Sequence, residues 1–201
     1  MTTSPTRQPL RNDVVHLDPL QPEDAPELFR ALDDERVWAG GWSGGPAARP
    51  DSAPGMSAVV DKLVSSGFAW AVRDAKSGEV VGTASLLDVD LVNERCMFGG
   101  AAYSPSVWGT PVNAATNLAL IGHAFEDCGF GRVMLQTDVL NAPMCRAIEK
   151  MGAKPEGVLR RHKRRADGTF RDSAVFSILT DEWPEVRSGL ERRLGATSAR
   201  S

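Results

Sequence analysis

Apolar residues recur along this chain in two rhythms, and the changes between them mark its elements. Val15 and Leu17 alternate with His16 and Asp18, which predicts a half-buried strand ending at Pro19. Pro22-Glu23-Asp24 opens a helix with an acidic first turn, and Ala25, Leu28, Phe29 and Leu32 supply its apolar face. Ala39 to Gly55 is rich in Gly, Pro, Ser and Ala without sustained period, so a long loop is expected. Val59, Val60, Leu63 and Val64 mark a second helix, closed at Ser66-Gly67. Phe68–Val72 and Val80–Leu86 read as two strands joined by the tight turn Ala75-Lys76-Ser77-Gly78, which makes a hairpin.

A third strand is expected from Arg95 to Tyr103, with a weak Gly99-Gly100-Ala101-Ala102 centre. Glycine there marks either a packing bulge or a close backbone approach. Beyond Pro111, Ala114, Leu118, Ile121 and Phe125 fall on one helical face. Arg132 to Asp138 alternates as a strand. Met144, Ala147, Ile148 and Met151 give a short helix with Pro143 in its first turn. A last hairpin pairs Gly157–Arg164 with Asp172–Leu179, and Trp183 to Leu194 reads as a closing helix.

Composition changes this picture little. The 201 residues suit one domain, with a loose arm at 1–11, the body at 12–194 and a flexible tail at 195–201. A net charge of −3 gives no global reason to bind nucleic acid or an anionic membrane. No apolar run approaches the roughly 18 residues that span a bilayer, and the polar N-terminus does not read as a signal peptide. Cys96, Cys128 and Cys145 match no zinc or CxxC spacing, and His16 and His123 have no metal-like partners. Reduced thiols in a cytoplasmic protein and no metal are the expectation.

Chemistry concentrates between Pro105 and Leu194. Trp108-Gly109-Thr110-Pro111-Val112-Asn113 leads into a helix, a strand follows, and Asn141 precedes the helix Arg146 to Gly152. A turn at a helix N-terminus converges backbone N–H groups on one point, as a pyrophosphate requires. On these residues the chain resembles the RimJ/RimL-like branch of the GNAT N-acetyltransferases. The resemblance implies a single-domain α/β (α+β) fold: a mixed, mostly antiparallel twisted sheet with a splayed central strand pair, flanked by helices. It implies acetyl-CoA as acyl donor and an amine acceptor. It also implies that Trp108, Gly109, Thr110, Val112, Asn113 and Asn141 form the cofactor site. Asn141 serves equally well as a helix cap.

The chain departs from the family pattern in three ways. Trp108, Pro111 and Asn113 stand where the superfamily has Gln or Arg, then Gly, then Gly or Ala, and Pro111 has no N–H to give. Met97 stands where the branch often carries a Glu, and Met144 where it often carries a Ser. Neither methionine moves a proton. Glu94, Tyr103 and Cys145 are the remaining candidates for acid–base work, each with a structural alternative: a solvated turn, packing beside Pro105, and a small buried residue. Trp38 and Trp42 are candidate walls of the acceptor pocket or anchors of their loop.

Three functions follow. The leading one is an acetyl-CoA-dependent N-acetyltransferase acting on a primary amine, either a protein N-terminus or a small molecule. The alternative is a GNAT-fold protein that binds acyl-CoA or a partner with little or no catalysis. The third is an RNA-associated module, led by the basic run Arg160-Arg161-His162-Lys163-Arg164-Arg165 and opposed by the acidic remainder of the chain. That run also suits an acidic acceptor or a plain solvated hairpin. A homodimer is left open, and the acceptor's identity is not legible.

Overall fold

The computed structural model describes residues 1–198, with the side chains of residues 1–195. Eight strands form one sheet: β1 (Leu10–Arg11), β2 (Val15–Pro19), β3 (Gly67–Asp74), β4 (Val80–Asp90), β5 (Arg95–Tyr103), β6 (Arg132–Asp138), β7 (Lys154–Arg164) and β8 (Phe170–Leu179). Their spatial order is β1-β2-β3-β4-β5-β6-β8-β7. Every neighbouring pair is antiparallel except β5 and β6, which run parallel. Between them a helix must carry the chain back across the sheet.

The helices are α1 (Ala25–Leu32), α2 (Glu35–Ala39), α3 (Ala53–Ser66), α4 (Val112–Gly122), α5 (Ala142–Met151) and α6 (Trp183–Ser198). Strand alternation sorts them into two layers. One core gathers Trp70, Leu86, Phe98, Val133, Leu135, Phe176 and Ile178 beneath α4, α5 and α6. The other gathers Ala69, Ala71 and Ala102 beneath Leu28, Leu32, Met56, Val60 and Leu63 of α1 and α3. No helix among the described residues is long and apolar enough to cross a membrane.

Four expectations need correction. The arm 1–11 is held to the body: Thr3 N donates to the Cys128 carbonyl at 2.8 Å, Trp70 Nε1 to that of Gln8 at 2.9 Å, and β1 pairs with β2. The loop after Ala39 is shorter than its composition suggested. Ser52 caps α3 by accepting from Gly55 N at 3.4 Å, with Pro54 in the first turn. In α4 the buried residues are Val112, Ala115, Thr116, Asn117, Leu120, Ile121 and Gly122, whereas Ala114 and Leu118 are partly exposed. Contact with the sheet on one side and α6 on another buries more than one helical stripe. Finally, α6 extends through Ser198, so the segment read as a tail begins as helix; residues 199–201 lie outside the described residues.

Candidate functional site

The site begins where two parallel strands part. Arg95–Phe98 pair with Arg132–Leu135, and the ladder stops at Phe98 and Leu135. Beyond that point β5 continues as Gly99–Tyr103 and β6 as Gln136–Asp138 without pairing each other. A break in the β4–β5 register, between Thr83 and Ser85, accompanies the turn-away. At its centre Gly100 has φ +62°, and a Cβ there would lie 2.9 Å from Ser85 Oγ and 3.2 Å from Leu63 Cδ2. Glycine is required at this bend by both backbone and space.

Each of the two strands delivers a helix N-terminus to the open end. After β5 the chain turns through Pro105–Val107, and α4 starts with Pro111 as its cap residue and no side-chain cap. Trp108 N donates to the Pro105 carbonyl and Thr110 N to that of Val107, both at 3.2 Å, so these two amides are committed to the turn. Val112 N reaches Thr110 Oγ1 at 3.4 Å. The amides of Gly109, Asn113 and Ala114 have no acceptor among the described residues. An uncapped helix start with free N–H groups presents donors and the positive end of the helix dipole on one side. Ala114 escaped the sequence reading because its pattern marked it only as apolar.

After β6, Asn141 caps α5. Its Oδ1 accepts from Met144 N at 3.2 Å, and its Nδ2 donates to the Gly40 carbonyl at 3.0 Å. A pocket of about 220 Å³ opens beside it, between Gly40, Gly41 and Pro46 on one side and Asp138, Asn141 and Arg165 on the other. Asp138 is buried; its Oδ1 accepts from Leu140 N at 3.0 Å and its Oδ2 from Arg165 Nη2 at 2.5 Å.

The two candidate tryptophans differ in role. Trp38 is fully buried in the core beneath α1 and α3 and donates Nε1 to the Leu32 carbonyl at 2.9 Å, so it is no pocket wall. Trp42 stands edge-on to it, with ring centroids 4.8 Å apart, and donates Nε1 to the carbonyl of Gly100, a residue beyond the end of the β5–β6 ladder, at 3.0 Å. Trp108 performs the same service for the Tyr103 carbonyl at 2.9 Å. Arg36 lies over the Trp108 ring at 5.6 Å, and its own bonds to Asp34 hold that carboxyl down at about 2.

The three acid–base candidates are not brought together. Glu94 occupies the turn before β5, exposed and with φ +49°. It sits at the closed end of the strand pair, where its carbonyl accepts from Gly131 N and Arg132 N. Five residues of extended strand put it about 16 Å from Gly99 at ~3.3 Å per residue. The Tyr103 hydroxyl is buried against Thr116 of α4 without a well-formed hydrogen bond, and burial pushes its pKa up, so it keeps its proton. Cys145 Sγ lies 4.0 Å from the Asp138 carbonyl, and burial, followed by the nearby Glu149 charge, raises its thiol pKa. Met97 is buried, and Met144 is partly exposed on the first turn of α5. Replacing Glu94 by glutamine is therefore expected to change kcat by less than about threefold, far below the ~100-fold of losing a general base. A steady-state comparison with the parent chain checks this.

The face of the sheet opposite α4 carries residues of the basic run Arg160–Arg165. The structure divides that run at a bulge between Leu159 and Lys163. Arg161, with φ +52°, stacks over Phe170 at 3.9 Å, and Arg165 reaches Asp138. His162 and Lys163 meet Arg171, which pairs with Lys163 across the ladder. The buried Ser173 hydroxyl joins them: it accepts from Arg171 Nε at 3.0 Å and lies 3.0 Å from His162 Nδ1. An arginine Nε only donates, so the Ser173 hydroxyl has its proton to give to a bare Nδ1 or its second lone pair to accept from a protonated one. Burial, then the charges of Lys163 and Arg171, lowers the His162 pKa, with Asp88 opposing. Burial likewise lowers Lys163, reinforced by Arg171 and Lys62 of α3.

Comparison with known proteins follows the same lines. A family model described as the acetyltransferase (GNAT) domain matches residues 15–154. No curated protein matches the sequence. Among solved structures, a GCN5-related N-acetyltransferase from Brucella melitensis is 27% identical, with a TM-score of 0.87 over 96% of this chain and 88% of its own. A T. thermophilus protein described as an acetyltransferase is 31% identical, with a TM-score of 0.85 over 96% and 100%. Mycobacterium smegmatis RimJ, solved with CoA-disulfide, is 20% identical with a TM-score of 0.74 over 92% of each chain, and shares the fold.

Proposed function

The chain belongs to the GNAT acetyltransferase family, and on that premise we propose that it moves an acetyl group from acetyl-CoA to a primary amine, on a protein N-terminus or a small molecule. One observation carries the reading: the β5–β6 pair opens after Phe98 and Leu135, with the uncapped α4 start and the Asn141 cap at its open end. Residues fit the donor there. The free amides of Gly109, Asn113 and Ala114 suit its pyrophosphate, and the edge of β5 beyond Gly99 has no strand partner on the β6 side. Acetyl-CoA supplies the thioester carbonyl that the amine attacks. Asn141, already bonded through one proton and one lone pair, keeps a second of each for the donor's amide arm. In the cytoplasmic setting proposed with it, free thiols such as Cys96, Cys128 and Cys145 stay reduced.

The chain's own chemistry is positioning. No carboxylate occupies the central-strand position of Met97, and Asp138 is held by Arg165, so the amine loses its proton to water. Proximity alone accelerates aminolysis of a thioester. The rate is expected to rise with pH toward the acceptor's own pKa, with no plateau set by an enzyme carboxylate. A panel of amines and peptides scored for thiol release from acetyl-CoA across pH 6–10 tests both points. Met97, Met144 and the distant Glu94 favour a second reading, an acyl-CoA-binding protein without turnover. Acetyl-CoA binding without thiol release from any amine would establish that alternative.

A further inference from the structure

The face opposite α4 holds cations that the protein itself leaves unmatched. Lys163 and Arg171 lie side by side across the β7–β8 ladder, with His162 tied in through Ser173. Lys62 faces them from α3, while Asp88 of β4 is the carboxylate set against His162 and Lys163. None of Lys62, Lys163 and Arg171 has a carboxylate within ion-pair distance among the described residues; Asp138, whose charge acts on Arg171, is bonded to Arg165. In a chain of net charge −3 this is a local inversion of sign.

The cluster is one strand away from the opening. Ser173 pairs with Asp138, the last residue of β6, and Lys62 is the neighbour of Leu63, which lies beside Gly100. The floor between has spare hydrogen-bonding capacity. Gln136 Oε1, on the same face as Asp138, and Ser85 Oγ, against Gly100, are both buried and without partners. A buried acceptor left open beside unmatched cations calls for a ligand that carries both an N–H donor and an anion.

Building on the acetyl-transfer reading, we propose that the acceptor is an amine carried on a molecule with one or more carboxylates. Lys62, Lys163 and Arg171 receive the carboxylates, and the amine lies in the β5–β6 opening with Gln136 Oε1 as its hydrogen-bond acceptor. The two helix starts that suit the donor lie on the α4 and α5 side, so donor and acceptor enter from opposite faces. His162 stands beside Lys163 and Arg171, anchored through Nδ1 to the Ser173 hydroxyl.

The test uses matched acceptors: a peptide with aspartates at its second and third positions against its asparagine counterpart, and free aspartate against asparagine. Thiol release is followed at low and high salt. The carboxylate member of at least one pair should show a kcat/KM roughly tenfold higher at low salt, shrinking as salt screens the contact. That ratio should fall toward one in Lys163→Gln and in Lys163→Gln/Arg171→Gln, and largely persist in Lys163→Arg. Preference within the peptide pair alone points to a polypeptide N-terminus, and within the free pair alone to a small acceptor. Equal rates within both pairs, or a preference untouched by Lys163→Gln, overturn the proposal while acetyl transfer stands. If no amine supports thiol release, calorimetry with the same peptides decides: binding of the acidic member that needs Lys163 supports the cluster, and no such binding sinks it.

Discussion

Trp38→Ala is expected to destabilise the protein by about 3–5 kcal/mol, whereas Trp42→Ala costs ~1 kcal/mol and acts on the site instead. Trp38 is fully buried in the core beneath α1 and α3, and its indole proton is matched by the Leu32 carbonyl at 2.9 Å. Truncation leaves a cavity the size of an indole and an unmatched carbonyl in a region with little freedom to collapse. Trp42 loses one hydrogen bond, to the Gly100 carbonyl, and one ring contact, to Trp38. The affected carbonyl belongs to the part of β5 that has no strand partner on the β6 side, so the acetyl-CoA KM should change while chemical denaturation barely shifts. Urea unfolding and steady-state kinetics on both variants separate the two roles. A Trp42→Ala protein as unstable as Trp38→Ala would mean that the 39–46 loop is core rather than site.

Gly100→Val should weaken acetyl-CoA binding by roughly tenfold or more, a change of ~1.4 kcal/mol. The backbone there has φ +62°, a left-handed conformation that costs a residue with a side chain about 1–2 kcal/mol and a β-branched one more. The new Cβ would also meet Ser85 Oγ at 2.9 Å and Leu63 Cδ2 at 3.2 Å. Relief requires β5 to straighten, which carries the Gly100 carbonyl away from Trp42 and alters the strand edge on which the proposed donor arm lies. Gly99→Ala is the control. Gly99 is not at positive φ, and its nearest neighbour would be Leu87 Cδ1 at 3.1 Å, a flexible side-chain end. Isothermal calorimetry with acetyl-CoA on folded samples checks the pair. Equal affinities for Gly100→Val and the parent would show that the donor does not depend on this bend.

Much of this architecture was legible along the chain. The β3–β4 hairpin, β5 from Arg95 to Tyr103, the helix starts after Pro111 and Asn141, and the final hairpin follow from local signals: alternation, proline in a first turn, glycine in a turn. Such signals act within a few residues, so the sequence by itself determined the order of the longer elements, strand phase and where two helix N-termini would be presented, though not β1 or the short α2. The family resemblance rested on those same local features, and it brought with it the mixed sheet and the opening between two central strands.

Tertiary structure decided which side chains meet. Glu94 and Gly99 are five residues apart, yet one lies at the closed end of the strand pair and the other at the open end, because the ladder stops at Phe98 and Leu135. Two tryptophans four residues apart divide between core and site because only Trp42 lies beyond the end of α2, where the chain turns over the sheet. The basic run was visible, but its partition was not. A bulge sends Arg161 onto Phe170 and Arg165 to Asp138, and leaves His162 and Lys163 with Arg171. Register, bulges and the end of a ladder are set by contacts between residues far apart in the chain. Local pattern therefore supplied the list of chemically able residues, and only the packed sheet determined which of them share a site.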